Sequence, residues 1–375
     1  MENAKGESAL INTVSAVSLG LVILAGGRSS RMGRDKAALP WRGATLLTDL
    51  LLRSQAVAFD EIVVSANRPP DLSALPPELT ARIRVVADDC QDCGPLGGME
   101  ASFRACSCSY CLVLSVDLPF YDFSPVKQIL PKLAQMPPVD LFLPMSESRP
   151  QPLAAVYRRG PALEAVQAAL NAGKRRVLSI ADALTVRILD DAGAPILYEN
   201  VNTPSAYKAA LAIDANRRRA VPIVSLSAAR SGDGKTSLAA QVIAELTRRG
   251  YAVAYVKSTH HRRCREKKGS DTDRALQAGA VQALLCGPDD VAAGEGKEDA
   301  LLRLTQQTAA DIAIVESRSH GLFPVLYLTN DAPPIRQHDV TAIIGNISNA
   351  DAACRWFSPD QLDALCSYIL YVTTS

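Results

Sequence analysis

The sequence has no long hydrophobic run. Its longest, Leu19 to Ala25 with Gly20 inside it, is far short of the ~20 residues that cross a bilayer as a helix, so no membrane partner is expected. Net charge is nearly absent: 40 Lys and Arg against 39 Asp and Glu leave +1, and no global field draws the chain to nucleic acid or an anionic surface. Glycine (22) and proline (23) are too few and scattered for a collagen-like or low-complexity chain. Histidine is scarce. All four residues, His260, His261, His320 and His338, lie beyond residue 219, which leaves the first half without a histidine-based catalytic pair. Lys5 between Glu2 and Glu7 makes a poor net-positive stretch for a signal peptide. Residues 1–17 read as a flexible tail before a first strand, and the cytoplasm is the expected compartment. What is there is an ordinary globular composition, 48% apolar and 21% charged. A length of 375 residues, at ~150 per domain, predicts two domains.

Nine cysteines, an odd number, do not suggest a disulfide scaffold in so long a chain. Cys90 and Cys93 are followed by Cys106, Cys108 and Cys111, a grouping that brings zinc or an iron–sulfur cluster to mind. Leu96–Arg104 reads as a helix between the two groups, and about 10 residues at ~1.5 Å each part its ends by about 15 Å. One metal with ~2.3 Å bonds to sulfur cannot join both groups. They read instead as a loop pair and as thiols entering a buried strand.

Short apolar runs alternate with amphipathic stretches. Leu19–Ala25, Glu61–Asn67, Ile83–Asp88 and Cys111–Asp117 read as buried strands, and Thr45–Phe59 has helical spacing. Runs at 139–145 and 152–157 precede a helix at 161–171 that Gly173 ends; a helix-like run from Val177 and a strand at Thr185–Leu189 follow. Pro204 opens a helix that runs into Asn216-Arg217-Arg218-Arg219, which reads as a linker. The alternation then restarts with strand Ile223–Ser227, helix Thr236–Arg249 and strand Tyr251–Lys257. This is an α/β chain of two doubly wound, mostly parallel sheets, with domains at 18–219 and 220–375.

The first strand delivers Leu24-Ala25-Gly26-Gly27-Arg28-Ser29-Ser30-Arg31-Met32-Gly33-Arg34-Asp35-Lys36. Three glycines let backbone N–H groups approach an anion, and Arg31 and Lys36 supply charge, so the loop reads as a phosphate site. Its spacing is not the dinucleotide fingerprint. Asn67-Arg68, Asp88 before Gly94-Pro95-Leu96-Gly97-Gly98, and Asp117-Leu118-Pro119 follow later strands, whose carboxyl ends share one crevice in a doubly wound sheet. The Asp117 carboxylate is a hard ligand suited to Mg²⁺ carrying triphosphate oxygens. Taken singly, Gly26-Gly27 is a tight turn, Lys36 a solvated charge, and Asp117 a helix cap. Asn200-Val201-Asn202-Thr203-Pro204 alone is a helix entrance.

Together and in this order, L-A-G-G-x-S-x-R-M-G-x-D-K, S-A-N-R, D-x(5)-G-P-L-G-G, D-L-P-F and N-V-N-T-P resemble the molybdenum cofactor guanylyltransferases (MobA) over residues 20–210. The resemblance implies a Rossmann-like nucleotidyltransferase domain that moves GMP from GTP to molybdopterin with Mg²⁺. Leu24, Ala25, Gly26, Gly27 and Lys36 would bind GTP. Asn67 and Asp88 (or Asp89) would contact the nucleoside, and Asp117 would hold Mg²⁺. Asn200 and Asn202 would line the pterin side, where Lys174, Arg175 and Arg176 would receive the pterin phosphate. Lys36, Arg31 and Asp117 are the catalytic candidates. Two alternatives stay open: a cytidylyltransferase for the same pterin, whose members tend to carry Ala-Ala-Gly where this chain has Ala25-Gly26-Gly27, and a pterin-delivering chaperone. Molybdenum-insertion proteins and apo-molybdoenzymes are the expected protein partners.

In the second half, Ala229-Arg230-Ser231-Gly232-Asp233-Gly234-Lys235-Thr236 lies between a strand and a helix, the context of a Walker A loop, with Ala229 in place of its first glycine. Lys235 would reach the β- and γ-phosphates and Thr236 would ligate Mg²⁺. Glu316 ends a neighbouring strand. With Lys257-Ser258-Thr259-His260-His261 and Gly269-Ser270-Asp271-Thr272, this half resembles MobB, the P-loop GTP-binding accessory family of the same pathway. It departs from that family at Ser317, in the basic stretch 262–268, and in lacking a guanine-reading motif. Gly296-Lys297-Glu298-Asp299 is the nearest string to one. His260 and His261, adjacent on a strand-like run, point to opposite faces and do not form a metal pair.

Overall fold

The computed structural model describes residues 17–26, 35–88, 93–133, 139–190, 195–228, 230, 232–260, 268–317, 323–329, 340–345 and 355–374. It divides into two units, Met1–Glu199 and Asn200–Ser375. Among the described residues no helix is long and apolar enough to cross a membrane. The expected tail falls outside them except for Val17.

The first unit is built on a mixed sheet. Its strands are β1 (Leu19–Leu24), β2 (Glu61–Ser65), β3 (Ile83–Val86), β4 (Tyr110–Ser115), β5 (Leu141–Ser146), β6 (Ala154–Arg158) and β7 (Val186–Leu189), in the order β7-β5-β6-β4-β1-β2-β3. A two-residue strand, Arg149–Pro150, pairs beside β5. β1 pairs in parallel with both β2 and β4, while β6 runs antiparallel to its neighbours β4 and β5. Every residue of β1 is buried, as expected of a central strand with helices on both faces, and this is why its sequence reads as an unbroken apolar run.

Helix α1 (Leu46–Ser54) starts at Thr45, whose hydroxyl accepts the Thr48 N–H at 3.1 Å. Helix α2 (Pro95–Ala105) follows Gly94 at φ +62°, with proline in its first turn. It packs with α3 (Arg159–Asn171) over one face of the sheet, where Leu96, Met99 and Phe103 meet Val22, Val113 and Tyr157. Each such side chain removed from water contributes about 1.5–3 kcal/mol. Gly173 ends α3 as expected: its N–H donates to the Leu170 carbonyl and that of Lys174 to Ala169, both at 2.9 Å.

In the second unit, β8 (Ile223–Ala228), β9 (Val253–Ser258), β10 (Gln282–Cys286), β11 (Ile312–Glu316), β12 (Val325–Leu328), β13 (Ala342–Ile344) and β14 (Arg355–Phe357) form a parallel sheet ordered β10-β9-β11-β8-β12-β13-β14.

The boundary corrects the sequence reading. Helix α4 (Pro204–Arg217) and the charged run after it belong to the second unit, not to a linker at 219. Asn216 is fully buried; its amide donates to the Val372 carbonyl at 3.2 Å and accepts the Ile223 N–H at 2.8 Å. Arg218 pairs with Asp214 at 2.7 Å, and the Arg219 guanidinium lies over the Phe323 ring at 5.2 Å. Asn216 thus anchors the run in the second unit, while the Arg218 side chain is 60% exposed.

Candidate functional site

In the first unit the loops after β1, β2, β3 and β4 leave the same end of the sheet. Ala25 donates its N–H to Ser65 at 2.8 Å and Val116 donates to Leu24 at 3.1 Å, so the segments leaving β1, β2 and β4 stay in register beyond the strands. There the Lys36 ammonium donates to Asp117 Oδ2 at 2.9 Å, across 81 residues of sequence. Their side chains are 22% and 12% exposed, so the pair is partly withdrawn from solvent screening. Leu24 ends β1 and Ala25 follows it. Gly27 and Arg31 lie outside the described residues, as does Asp89.

The Asn67 side-chain Oδ1 accepts the Asp88 N–H at 3.1 Å, which ties the ends of β2 and β3 together. A methyl at Gly97 would collide with the Asp88 carboxylate, and one at Gly98 would stand 2.7 Å from Ser65 Oγ. The paired glycines therefore let the first turn of α2 close on the sheet and on Asp88. That carboxylate sits against the amino end of a helix, where negative charge is favoured. Lys174, Arg175 and Arg176 are exposed. A Cβ on Gly94 would lie 3.5 Å from the Arg175 carbonyl, so the basic stretch borders the same turn. Asn200 and Asn202 open the second unit, where the Asn202 amide donates to Asn200 Oδ1 at 2.5 Å. Thr203 caps α4 through the Ala206 N–H at 3.1 Å, so the motif forms the entrance to that helix.

Sequence reasoning missed Arg53. From α1 its guanidinium reaches the carbonyls of Pro119, at 2.9 Å, and Tyr121, while its Nε donates to Asp49 at 2.7 Å. Burial pulls this arginine below its usual pKa, and the Asp49 carboxylate opposes the shift. The two carbonyls belong to the loop that carries Asp117, so Arg53 braces that loop. An Asp and an Arg four apart on a helix were the available signal, but the pattern is common on solvated faces. Arg53→Met is expected to destabilise the fold by about 1–3 kcal/mol, read from a denaturant midpoint, by leaving two carbonyls without their donor and Asp49 with only the looser Arg42 pair at 3.9 Å.

In the second unit, Gly232 and Gly234 adopt φ of +96° and +91° before helix α5 (Lys235–Arg248). Both conformations favour glycine and turn the loop into the helix. Lys235 is 8% exposed, and its ammonium donates to the Arg230 carbonyl at 2.9 Å. The buried Glu316 carboxylate collects three groups: the Thr236 hydroxyl at 2.9 Å, the Tyr255 hydroxyl at 2.7 Å and the Lys257 ammonium at 3.2 Å. Lys257 also pairs with Asp271, the first residue of helix α6 (Asp271–Gln277). Burial alone would lower the Lys257 pKa, but the Asp271 hydrogen bond and the Glu316 charge outweigh it and hold the ammonium above its ordinary range. Burial, reinforced by Glu316, raises the Tyr255 hydroxyl.

Thr236 thus meets Glu316, which ends the neighbouring strand β11. Tyr255 was missed because it lies inside an apolar strand. Gly296-Lys297-Glu298-Asp299 opens helix α7 (Lys297–Gln306): Asp299 accepts the Gly296 N–H at 3.3 Å and Lys297 donates to the Thr259 carbonyl at 3.0 Å. These residues act as a helix start. His260 is exposed, and His261 lies outside the described residues.

Residues 21–188 match the family model of the MobA-like NTP transferase domain, and residues 223–346 match that of molybdopterin guanine dinucleotide synthesis protein B. A probable molybdenum cofactor guanylyltransferase of Pelotomaculum thermopropionicum is 31% identical over 195 residues, covering 49% of this chain and 87% of that protein. One from Chloroflexus aggregans is 36% identical over 172 residues, covering 44% of this chain and 76% of its own length. The crystal structure of molybdopterin-guanine dinucleotide biosynthesis protein A from Archaeoglobus fulgidus is 23% identical, with a TM-score of 0.40 over 50% of this chain and 95% of that one.

Proposed function

This chain belongs to the molybdenum cofactor guanylyltransferase family, and we propose that its first unit transfers GMP from GTP to molybdopterin while its second binds nucleotide as an accessory. The Lys36–Asp117 pair carries the reading, because it sets a cation beside a hard carboxylate at the shared end of the central strands. In the reaction, a terminal phosphate oxygen of molybdopterin forms a bond to the α-phosphorus of GTP. The bond from that phosphorus to the bridging oxygen breaks, and pyrophosphate leaves with the electron pair. A phosphate monoester is already ionised at neutral pH, its second pKa being ~6, so no strong general base is required.

Lys36 holds the α-phosphate in line and neutralises charge as it shifts toward the leaving group. Arg31 adds a second cation from the same loop. Asp117 fits a hard divalent cation; bound there, Mg²⁺ supplies charge neutralisation on the triphosphate. Asn67 and Asp88 hold the nucleoside, and Lys174, Arg175 and Arg176 receive the pterin phosphate. In the second unit, Thr236 and Glu316 are the oxygen donors that fit Mg²⁺, and Lys235 meets the nucleotide phosphates. The proposed setting is the cytoplasm, with molybdenum-insertion proteins and apo-molybdoenzymes as partners.

Gly97→Ala tests the nucleoside side. The added methyl displaces the Asp88 carboxylate, and KM for GTP is expected to rise about tenfold with kcat little changed, the strain being of order 1–3 kcal/mol. The function itself is tested by pyrophosphate release from the full chain with Mg²⁺, molybdopterin and either GTP or CTP. Faster release with GTP is the expected result. Preference for CTP would make the chain a cytidylyltransferase, and no release with either nucleotide would leave pterin delivery as its activity.

A further inference from the structure

A second cluster of chemically active side chains lies at the other end of the first sheet. Glu61 begins β2, Cys106 caps the end of α2, Cys108 follows in the loop, and Cys111 is the second residue of β4. The ligand atoms of Glu61, Cys106 and Cys108 all lie within 4.8 Å of one another. The Cys111 thiol donates to Cys106 Sγ at 3.6 Å. All three cysteines are free and buried. Cys93 is disulfide-bonded and takes no part. A site formed by the second cysteine group alone needs no metal that spans both groups.

The surroundings are built for this cluster. A Cβ on Gly20 would stand 2.7 Å from Cys106 Sγ and 3.5 Å from Cys108 Sγ, so a glycine interrupts this fully buried strand where the sulfurs need room. The Ser107 hydroxyl and its N–H, the latter at 3.2 Å, both donate to the Glu61 carboxylate and fix its orientation. Arg84 donates to the Ala105 carbonyl, and Arg159 to that of Cys108 at 3.0 Å, which pins the loop from both sides.

We propose that Glu61, Cys106 and Cys108 form a Zn²⁺ site, with the Cys111 thiol hydrogen-bonded to one ligand sulfur. Two sulfurs and a carboxylate oxygen are a zinc donor set, and bonds of ~2.0–2.3 Å place tetrahedral ligand atoms roughly 3.3–3.8 Å apart, against a spacing of no more than 4.8 Å here. Each ligating thiol gives up its proton on binding. The Ser107 and Cys111 bonds are the outer contacts that orient ligands in such sites. The six residues of β1, at ~3.3 Å each, separate this end of the sheet from the Lys36–Asp117 end by about 20 Å. With water as its fourth ligand, the metal would tie the end of α2 and the loop before β4 to β2.

Titration of the reduced full chain with Co²⁺ tests the site. One equivalent is expected to bind with thiolate-to-cobalt charge-transfer absorption and to be displaced by Zn²⁺. The Cys106→Ser/Cys108→Ser variant is expected to lose that absorption, while Cys366→Ser keeps it. Glu61→Gln, which retains every thiol, should weaken Co²⁺ binding at least tenfold and covers the case in which the double variant fails to fold. Absence of the band from the reduced parent chain, its persistence in the double variant, or an unchanged affinity in Glu61→Gln would each overturn the proposal.

Discussion

Lys36→Ala is expected to lower the rate of guanylyl transfer about 10²–10³-fold while leaving GTP affinity within about tenfold of the parent. The asymmetry follows from where the charge acts. The ammonium sits 2.9 Å from Asp117 Oδ2 at the end of the central strands, held before substrate arrives and needing no rearrangement as charge moves to the leaving pyrophosphate. Binding of GTP is shared with backbone donors and the nucleoside contacts, so it depends less on one side chain. The substitution also leaves a carboxylate that is only 12% exposed without its cation, at about 1–3 kcal/mol of fold stability. Single-turnover rates should therefore be compared at temperatures where both chains are folded. A variant that loses only affinity would place Lys36 on the ground state, and an unaltered rate would remove it from the site.

Lys235→Ala is expected to weaken nucleotide binding by the second unit about a hundredfold or more. With its head 2.9 Å from the Arg230 carbonyl and only 8% exposed, this lysine is already folded over the loop, and phosphate oxygens would replace that carbonyl as its acceptor. Titration with a non-hydrolysable GTP analogue reads the effect directly. The parent chain should take up two equivalents and the variant one at the same concentrations. Two equivalents in the variant would make the loop a structural turn.

The glycine-bearing loops were the legible part of both sites. Their conformational and steric demands are local, and in a doubly wound sheet the strand ends gather whatever follows them; hence Lys36 and Asp117 meet, as do Thr236 and Glu316. Side chains that act through tertiary contact were not legible. Arg53 serves carbonyls 66 and 68 residues away, and Tyr255 sits in a strand whose apolar neighbours hide its hydroxyl. The run Asn216 to Arg219 misled for the converse reason: composition marks a linker, whereas Asn216 is buried by partners at both ends of its unit. Beyond residue 280 the strands Gln282–Cys286, Val325–Leu328, Ala342–Ile344 and Arg355–Phe357 went unread, because runs of three to five residues carry too little periodicity to tell strand from loop.

The most direct measurement follows GTP labelled at its α-phosphorus through incubation of the full chain with Mg²⁺ and molybdopterin. Label in the pterin product, with one pyrophosphate released for each, is the predicted result. Label that stays in GTP, or emerges only as GMP or GDP, would contradict it.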